Sequence, residues 1–180
     1  DTHIVDSDLD VVVERAGEGS DWVKSSAGHS LFRNVENLEL TGNAVTRGTG
    51  NSLANRILGS SVANTLLGLD GNDTLRGGSG VDSLTGGNGF DVFNYTQITD
   101  STDTEFDTIS ALEAGDKITF TGMAGVTLKS DAFTFTSSIS NTVTAIKNDS
   151  SITNKIVFFT DGTDGYVFIK GAGTGTDFSN

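Results

Sequence analysis

Apolar side chains recur with a nine-residue period through the middle of this chain. From Gly50, five consecutive segments begin with glycine, carry Asn or Asp at the sixth position and place an apolar residue at the eighth, namely Ile57, Leu66, Leu75, Leu84 and Phe93. This pattern predicts a turn of about six residues followed by a strand of about three, because glycine permits the positive φ that tight turns need. Since such a short strand is not stable alone, the segments must stack and share one core.

Acidic and amide side chains share this period, because the sixth positions hold Asn55, Asn64, Asp73, Asp82 and Asp91. If two segments make one coil, turns two segments apart lie about 4.8 Å apart at sheet spacing. Asp73 and Asp91 then belong to one column of turns, and Asp82 to the opposite column. Carboxylates stacked so closely repel each other unless a cation lies between them. Carboxylate and carbonyl oxygens are the ligands that Ca²⁺ prefers, so the repeats predict several calcium ions.

Alternating apolar and polar positions resume after Asn94 and predict antiparallel strands. The candidate strands are 117–121, 132–136, 142–147, 155–160 and 166–170. The turn sequence AspGlyThrAspGly at 161–165 predicts a hairpin between the last two. We therefore predict an all-β fold with three regions: a strand-rich N-terminal spacer at 1–49, a short parallel β-roll at 50–94 and an antiparallel β cap at 95–180.

The charge balance narrows the classes of partner. Asp and Glu total 24 against 11 Lys and Arg, which gives a formal net charge of −13. Such a chain repels nucleic-acid phosphates and anionic membrane surfaces. No apolar stretch approaches the ~18–20 residues of a membrane span, so we expect no membrane insertion. The chain has no cysteine, so no disulfide can stabilise it and bound cations are the natural substitute.

The stretch GLDGNDTLRGGSGVDSLTGGNGFDVF at 68–93 resembles the nonapeptide repeats of RTX (repeats-in-toxin) proteins, whose pattern is GGxGxDxUx. The resemblance implies a parallel β-roll in which each Ca²⁺ lies between turns two units apart. One turn would supply its second and fourth carbonyls and its aspartate, and the other its first and third carbonyls and its aspartate. The implied first site consists of Leu69, Gly71, Asp73, Gly86, Asn88 and Asp91.

A second implied site joins Gly78, Gly80 and Asp82 to the next turn of the same column, where Asp100 falls on the sixth position. The first and third positions of the two earlier Asp turns add possible carbonyl ligands, Gly68, Asp70, Gly77 and Ser79. The segment after Phe93 resembles the C-terminal RTX domain of serralysin-type secreted metalloproteases, which makes Asp107 a further possible ligand. Asp103, Glu105 and Asp116 are expected to be solvated surface charges.

The Asn55 and Asn64 turns depart from the pattern, because Leu53 and Val62 replace the fourth-position glycine. They are expected to be metal-free, or to share weak sites with Asp73 or Asp82. Residues 1–49 resemble a spacer between RTX repeat blocks, with Asp21 as a structural turn residue. Asp1 and the following threonine resemble the sixth and seventh positions of an earlier unit, so we expect a longer parent protein.

Catalytic motifs are not found in the sequence. His3 and His29 lie 26 residues apart, without the H-E-x-x-H context of zinc proteases. GlyHisSerLeuPhe at 28–32 lacks the second glycine of a G-x-S-x-G nucleophile elbow. We therefore expect no enzymatic activity in this chain, although its parent could be an enzyme.

The resemblance implies a calcium-binding module that folds outside a Gram-negative-type bacterium, within a larger type I-secreted protein. Its partners would be calcium, the type I secretion machinery and the remainder of the parent chain. An alternative is a calcium-rigidified adhesin or surface-layer module that binds a cell-surface glycan or assembles into a lattice.

Overall fold

The computed structural model describes residues 1–44, 46–97, 99–102 and 106–121, together with the backbone of 127–128, 155–160 and 164–170. These residues form strands and no helix. The strands are β1 (Thr2–Val5), β2 (Trp22–Ser25), β3 (His29–Ser30), β4 (Asn37–Leu40), β5 (Thr46–Thr49), β6 (Arg56–Leu58), β7 (Asn64–Asp70), β8 (Thr74–Arg76), β9 (Ser83–Asn88), β10 (Val92–Tyr95), β11 (Asp107–Ser110), β12 (Lys117–Phe120), β13 (Thr127–Leu128), β14 (Lys155–Thr160) and β15 (Asp164–Lys170).

Two sheets face each other across one core. The first has the strand order β1-β2-β4-β6-β8-β10-β12, and the second has the order β13-β14-β15-β11-β9-β7-β5-β3. From β2 to β12 the chain alternates between the sheets, so that each coil adds one parallel strand to each. The result is a parallel β-roll of about 5 turns, which confirms the predicted all-β roll.

The parallel pairing extends beyond 50–94 in both directions. On the N-terminal side, β4 pairs with β6, and Leu38 lies in register with Ile57. On the C-terminal side, β12 pairs in parallel with β10, placing Ile118 beside Phe93. The strand predicted at 117–121 therefore exists, but its assignment to an antiparallel cap is wrong. It continues the roll because Ile118 places an apolar side chain against the shared core.

Antiparallel pairing appears at β15, which pairs with both β11 and β14. The β14–β15 pair confirms the predicted hairpin. The candidate strands at 132–136 and 142–147 lie outside the described residues, so the antiparallel cap as a whole remains a prediction.

The core is a stack of the eighth-position side chains predicted from the sequence. Ile57, Leu75 and Phe93 come from the first sheet and Leu66 and Leu84 from the second, and all five are buried. We expect Leu75→Ala to lower the free energy of unfolding by about 2–5 kcal/mol, because it leaves a cavity between adjacent coils.

Urea unfolding at fixed calcium measures this loss. The control is Leu112→Ala, because Leu112 is 40% exposed and should change stability by less than about 0.5 kcal/mol. Equal losses in the two variants would contradict the assignment of the core.

Candidate metal centre

The sixth-position side chains link successive coils along the edge of the first sheet. Asp73 Oδ1 accepts the backbone N–H of Asn55 at 2.7 Å, and Asp91 Oδ1 accepts that of Asp73 at 2.8 Å. Asp116 Oδ1 continues the series by accepting the N–H of Asp91 at 2.9 Å. We call this series of bonds the first carboxylate ladder. It places Asp73 and Asp91 in one column of turns, as the period predicts.

The opposite edge carries a second carboxylate ladder with the same geometry. Asp82 Oδ1 accepts the N–H of Asn64 at 2.8 Å, and Asp107 Oδ1 accepts the N–H of Asp82 at 3.0 Å. Asp107 therefore occupies the place that the nine-residue count gives to Asp100, because 25 residues separate Asp82 from its partner. The assignment of Asp100 to the sixth position is wrong.

Asp100 instead closes the turn that follows β10. Its Oδ2 accepts the N–H groups of Thr96 and Gln97 at 2.7 and 3.0 Å, and its Oδ1 lies 3.5 Å from Arg76 Nη2. Because protein donors and a guanidinium already neutralise this carboxylate, its geometry does not favour the predicted role as a metal ligand.

Asp116 was expected to be a solvated charge, yet it completes the first ladder. A three-residue pattern, an aspartate followed two positions later by an apolar residue, identifies Asp116, because Ile118 follows it as Ile109 follows Asp107. Asp100 does not fit this pattern, because the residue two positions after it is the polar Thr102. Asp103 and Glu105 lie outside the described residues.

Four aspartates bury a second oxygen that has no partner. Within the described part of the chain, Oδ2 of Asp73, Asp82, Asp91 and Asp107 makes no hydrogen bond of normal geometry, and the Tyr95 hydroxyl lies near the Asp107 carboxylate. Each of these side chains is at most 1% exposed. A buried, ionised oxygen without a donor is costly, so these groups require either a proton or a cation.

Burial dominates the electrostatics of these groups. It raises the pKa of Asp73 to about 6 and that of Asp82 to about 7. Burial, followed by the charge of Asp82, raises the pKa of Asp107 to about 8. Burial also raises the pKa of Asp91. All four carboxylates thus bind protons more readily in the calcium-free fold than an ordinary aspartate does.

A pH prediction follows from the sign of these shifts. Each pKa is raised above the ordinary value of 3.8, so the folded, calcium-free chain binds more protons than the unfolded chain. Its free energy of unfolding should therefore be highest below about pH 4 and fall as the pH rises through 8.

Hydrogen-exchange protection factors of the Val92 and Lys117 amides in chelator, measured at several pH values, follow this loss of stability in the repeats, and Asp107→Asn should make them less dependent on pH between 6 and 8. Stability that instead rises with pH in chelator, or a slope that Asp107→Asn leaves unchanged, would contradict the assigned burial.

The first-position glycines lie directly against these unpartnered oxygens. A Cβ on Gly68 would lie within 3.0 Å of both Asp73 Oδ2 and Gly86 O, so these two oxygens approach the same point. A Cβ on Gly77 or on Gly86 would likewise lie within 3.0 Å of Asp82 Oδ2 or Asp91 Oδ2. A side chain at any of these three positions would therefore displace the aspartate of its own turn.

The second- and fourth-position carbonyls point toward the next turn of the column. A Cβ on Gly87 would clash with Leu69 O, and one on Gly89 would clash with Gly71 O. Leu69 O, Gly71 O and Gly86 O therefore lie between the two turns, as the implied first site requires. Asn88 O faces the same way but already accepts the Gly71 N–H at 3.0 Å, leaving one lone pair free.

The remaining predicted ligands lie nearer the Asn turns. Gly68 O approaches Gly50, and Gly77 O and Gly78 approach the turn at 59–62. Gly80 packs on Val62 of the same turn.

The two polar residues predicted to offer carbonyl ligands lie near the surface. The Asp70 side chain is exposed and accepts a hydrogen bond from the Asn88 amide at 2.8 Å. Ser79 lines a polar cleft together with Arg76 and Asp100.

The second residue of each turn distinguishes Asp turns from Asn turns. In the Asp turns this residue has a positive φ, 86° at Leu69, 99° at Gly78 and 114° at Gly87. In the Asn turns its N–H instead donates to the asparagine Oδ1, from Asn51 and from Ser60, each at 2.7 Å. The Asn turns therefore satisfy their own side-chain oxygen, whereas the Asp turns leave an oxygen for a cation. The donor set of the Asp turns fits calcium.

Comparison with known proteins agrees with this geometry. The family of the RTX calcium-binding nonapeptide repeat matches residues 58–93 with four copies, a span that includes Asp73, Asp82 and Asp91. A search of curated proteins finds no match to the chain. Among the described residues, no helix is long and apolar enough to cross a membrane. Residues 58–93 are therefore RTX calcium-binding nonapeptide repeats.

Proposed function

We propose that this chain is a calcium-responsive folding module of a larger protein that acts outside a bacterial cell. The observation that carries the proposal is the set of four buried carboxylate oxygens without donors, at Asp73, Asp82, Asp91 and Asp107. Because carboxylates at these positions repel one another when ionised, the calcium-free repeats are poorly stable at neutral pH.

Calcium would supply positive charge to these oxygens and to the carbonyls beside them. Leu69, Gly71, Asp73, Gly86, Asn88 and Asp91 would hold one ion, and the column of Asp82 and Asp107 would hold another. Each site held at 100 times its dissociation constant would add about 2.7 kcal/mol to the free energy of unfolding. In a chain without cysteine, this stabilisation would replace disulfides.

The dependence of folding on calcium would also suit export from the cell. Low calcium inside the cell would keep the acidic repeats open, as passage through a type I secretion machine requires, and high external calcium would then close them. The net charge of −13 adds to the repulsion in the calcium-free chain. We expect no catalysis from this module, whose contribution to the parent protein would be calcium-dependent structure.

A calcium titration followed by circular dichroism and melting temperature tests the proposal, with Mg²⁺ as the control ion. We expect a gain of β signal and a rise in melting temperature with calcium, reversal by chelator and a much smaller response to Mg²⁺, which dehydrates reluctantly. A chain whose spectrum and melting temperature are the same in chelator and in calcium would overturn the proposal.

A further inference from the structure

Unpartnered carboxylate oxygens are distributed unevenly along the roll. In the described part of the chain, every buried carboxylate oxygen without a donor lies between Asp73 and Asp107. Among the described residues before Asp73, the buried side-chain nitrogen and oxygen atoms without a hydrogen-bond partner are the two ring nitrogens of His29. In the described part of the chain, buried carboxylate oxygens that lack a protein donor are therefore confined to the later coils.

In the first column, the Asn55 amide makes contacts that leave no oxygen for a cation. Its Nδ2 donates to Val35 O at 3.3 Å and Glu36 O at 3.2 Å, while its Oδ1 accepts the Asn51 N–H. The Asn51 amide donates to Phe32 O and again to Val35 O, each at 2.7 Å. The carbonyls that face this turn from the preceding coil are thus satisfied by protein donors.

Polar side chains in the opposite column and in the first coils also bond to protein groups. Asn64 Nδ2 donates to Thr46 Oγ1 at 3.1 Å. Near the start of the roll, Glu14 pairs with His3, Asp21 Oδ1 pairs with the amino group of Asp1 and Glu36 Oε2 accepts the Asp21 N–H at 2.9 Å. Glu14 and Asp21 therefore have protein partners, although oxygens of Asp1, Glu14 and Asp21 lie within 4.8 Å of one another and are close enough to share a cation.

Of the buried apolar side chains in the described part of the chain, most lie in the early coils. These are Val5, Val12, Val23, Leu31, Val35, Leu38, Leu40, Ile57 and Leu66. Domains of about 55–65 residues can fold without metal or disulfides when they have such a core. In stacked repeats each coil contacts only its neighbours, so part of a roll can fold while the rest stays open.

We infer that residues 1–67 form a calcium-independent base, and that the coils from Gly68 to Phe120 dock on it only when calcium binds. The inference rests on the proposed function, because it requires calcium to close the later coils. The base presents the edges of β6 and β7, with which β8 and β9 pair in parallel. Folding of the later coils would therefore begin at a preformed edge and proceed toward β12.

Amide hydrogen exchange of the full chain, resolved by NMR, tests this order of folding. Equivalent amides report on each coil: Asn37 N–H bonds to Asp21 O and Arg56 N–H to Glu36 O in the base, and Val92 N–H bonds to Asp73 O and Lys117 N–H to Asp91 O in the later coils. In chelator, we expect about 100-fold protection or more at Asn37 and Arg56, and protection near that of an unfolded chain at Val92 and Lys117. Calcium should then protect all four.

Three results would contradict part of this account, and each has a different meaning. If all four amides are unprotected in chelator and gain protection together with calcium, the base does not exist although the proposed function stands. If Val92 and Lys117 are already protected in chelator, the inference fails. If calcium changes none of them, the proposed function fails with it.

The double variant Asn55→Asp and Asn64→Asp tests the amides that close the base. It replaces two donors by carboxylates, so protection of Arg56 in chelator should fall at least tenfold and should return when calcium is added. Asn43→Asp is the matched control, because Asn43 is exposed in the same region and should leave the protection of Arg56 unchanged. Loss of protection in the control, or none in the double variant, would overturn the role of the amides.

Discussion

Asp73→Asn should weaken calcium binding while making the calcium-free chain more stable. Asp73 is 1% exposed, and its Oδ2 lies beside Gly86 O without a hydrogen-bond donor. An amide keeps the shape and can retain the bond from Asn55 N–H through its Oδ1. It also removes a buried charge whose burial raises the pKa of Asp73 to about 6. In chelator at neutral pH, the coils around residue 73 should therefore be folded in a larger fraction of molecules than in the parent.

The calcium affinity of Asp73→Asn, in contrast, should be lower than that of the parent. The site between the turns of Asp73 and Asp91 loses one of its two carboxylates, and calcium affinity depends strongly on the number of charged ligands. We expect the calcium concentration at half response to rise about tenfold or more at this site, which is about 1.4 kcal/mol. Isothermal titration calorimetry measures the calcium affinity, and hydrogen exchange of the Val92 amide in chelator measures the folded fraction of the later coils.

Asp8→Asn provides the matched control, since it makes the same charge change on an exposed loop outside the repeats. It should alter neither the calcium affinity nor the chelated stability by a comparable amount. If Asp73→Asn destabilises the chelated chain and leaves calcium affinity unchanged, Asp73 is a structural turn residue and the metal site is misassigned.

Gly87→Ala should destabilise the calcium-bound chain by about 2–5 kcal/mol, combining left-handed backbone strain with a steric clash. Gly87 has a φ of 114°, and a Cβ there would displace Leu69 O, one of the carbonyls between the first pair of Asp turns. The loss should be accompanied by weaker calcium binding, because the displaced oxygen is a predicted ligand.

Gly17→Ala separates the effect of backbone strain from that of the steric clash. Gly17 has a φ of 86°, but a Cβ there would meet nothing within 4 Å. It should therefore cost only the backbone strain of about 1–2 kcal/mol and leave calcium affinity unchanged. Equal effects of the two substitutions on stability and on calcium binding would show that the close approach of adjacent turns is not what requires glycine at position 87.

The nine-residue period was sufficient to predict the repeats and their chemistry. The apolar eighth positions are buried, and Asp73 and Asp91 share one column because two units make one coil. Glycine at fixed positions and aspartate at the sixth position are local requirements of one turn, so they are visible in one sequence.

The rest of the roll could not be predicted by counting in nines. Leu38 pairs with Ile57 although their segments share no glycine pattern, because turns of different length can join equivalent strands. The same change of length moved the sixth position from Asp100 to Asp107. The later coils share an aspartate two residues before an inward apolar side chain, as at Asp116 and Ile118. This pattern is less conspicuous than the glycines, but it identifies the members of the carboxylate ladders better than the glycines do.

The most direct test of the calcium assignment is a crystal structure of the chain grown with calcium, with the ions located by anomalous scattering. We predict an ion between the turns of Asp73 and Asp91, at about 2.3–2.6 Å from Asp73 Oδ2, Leu69 O and Gly86 O. We predict none between the turns at 32–36 and 50–55, where Asn55 donates to the carbonyls. Ions found only on exposed carboxylates, with the buried oxygens of Asp73 and Asp91 still without a cation, would contradict it.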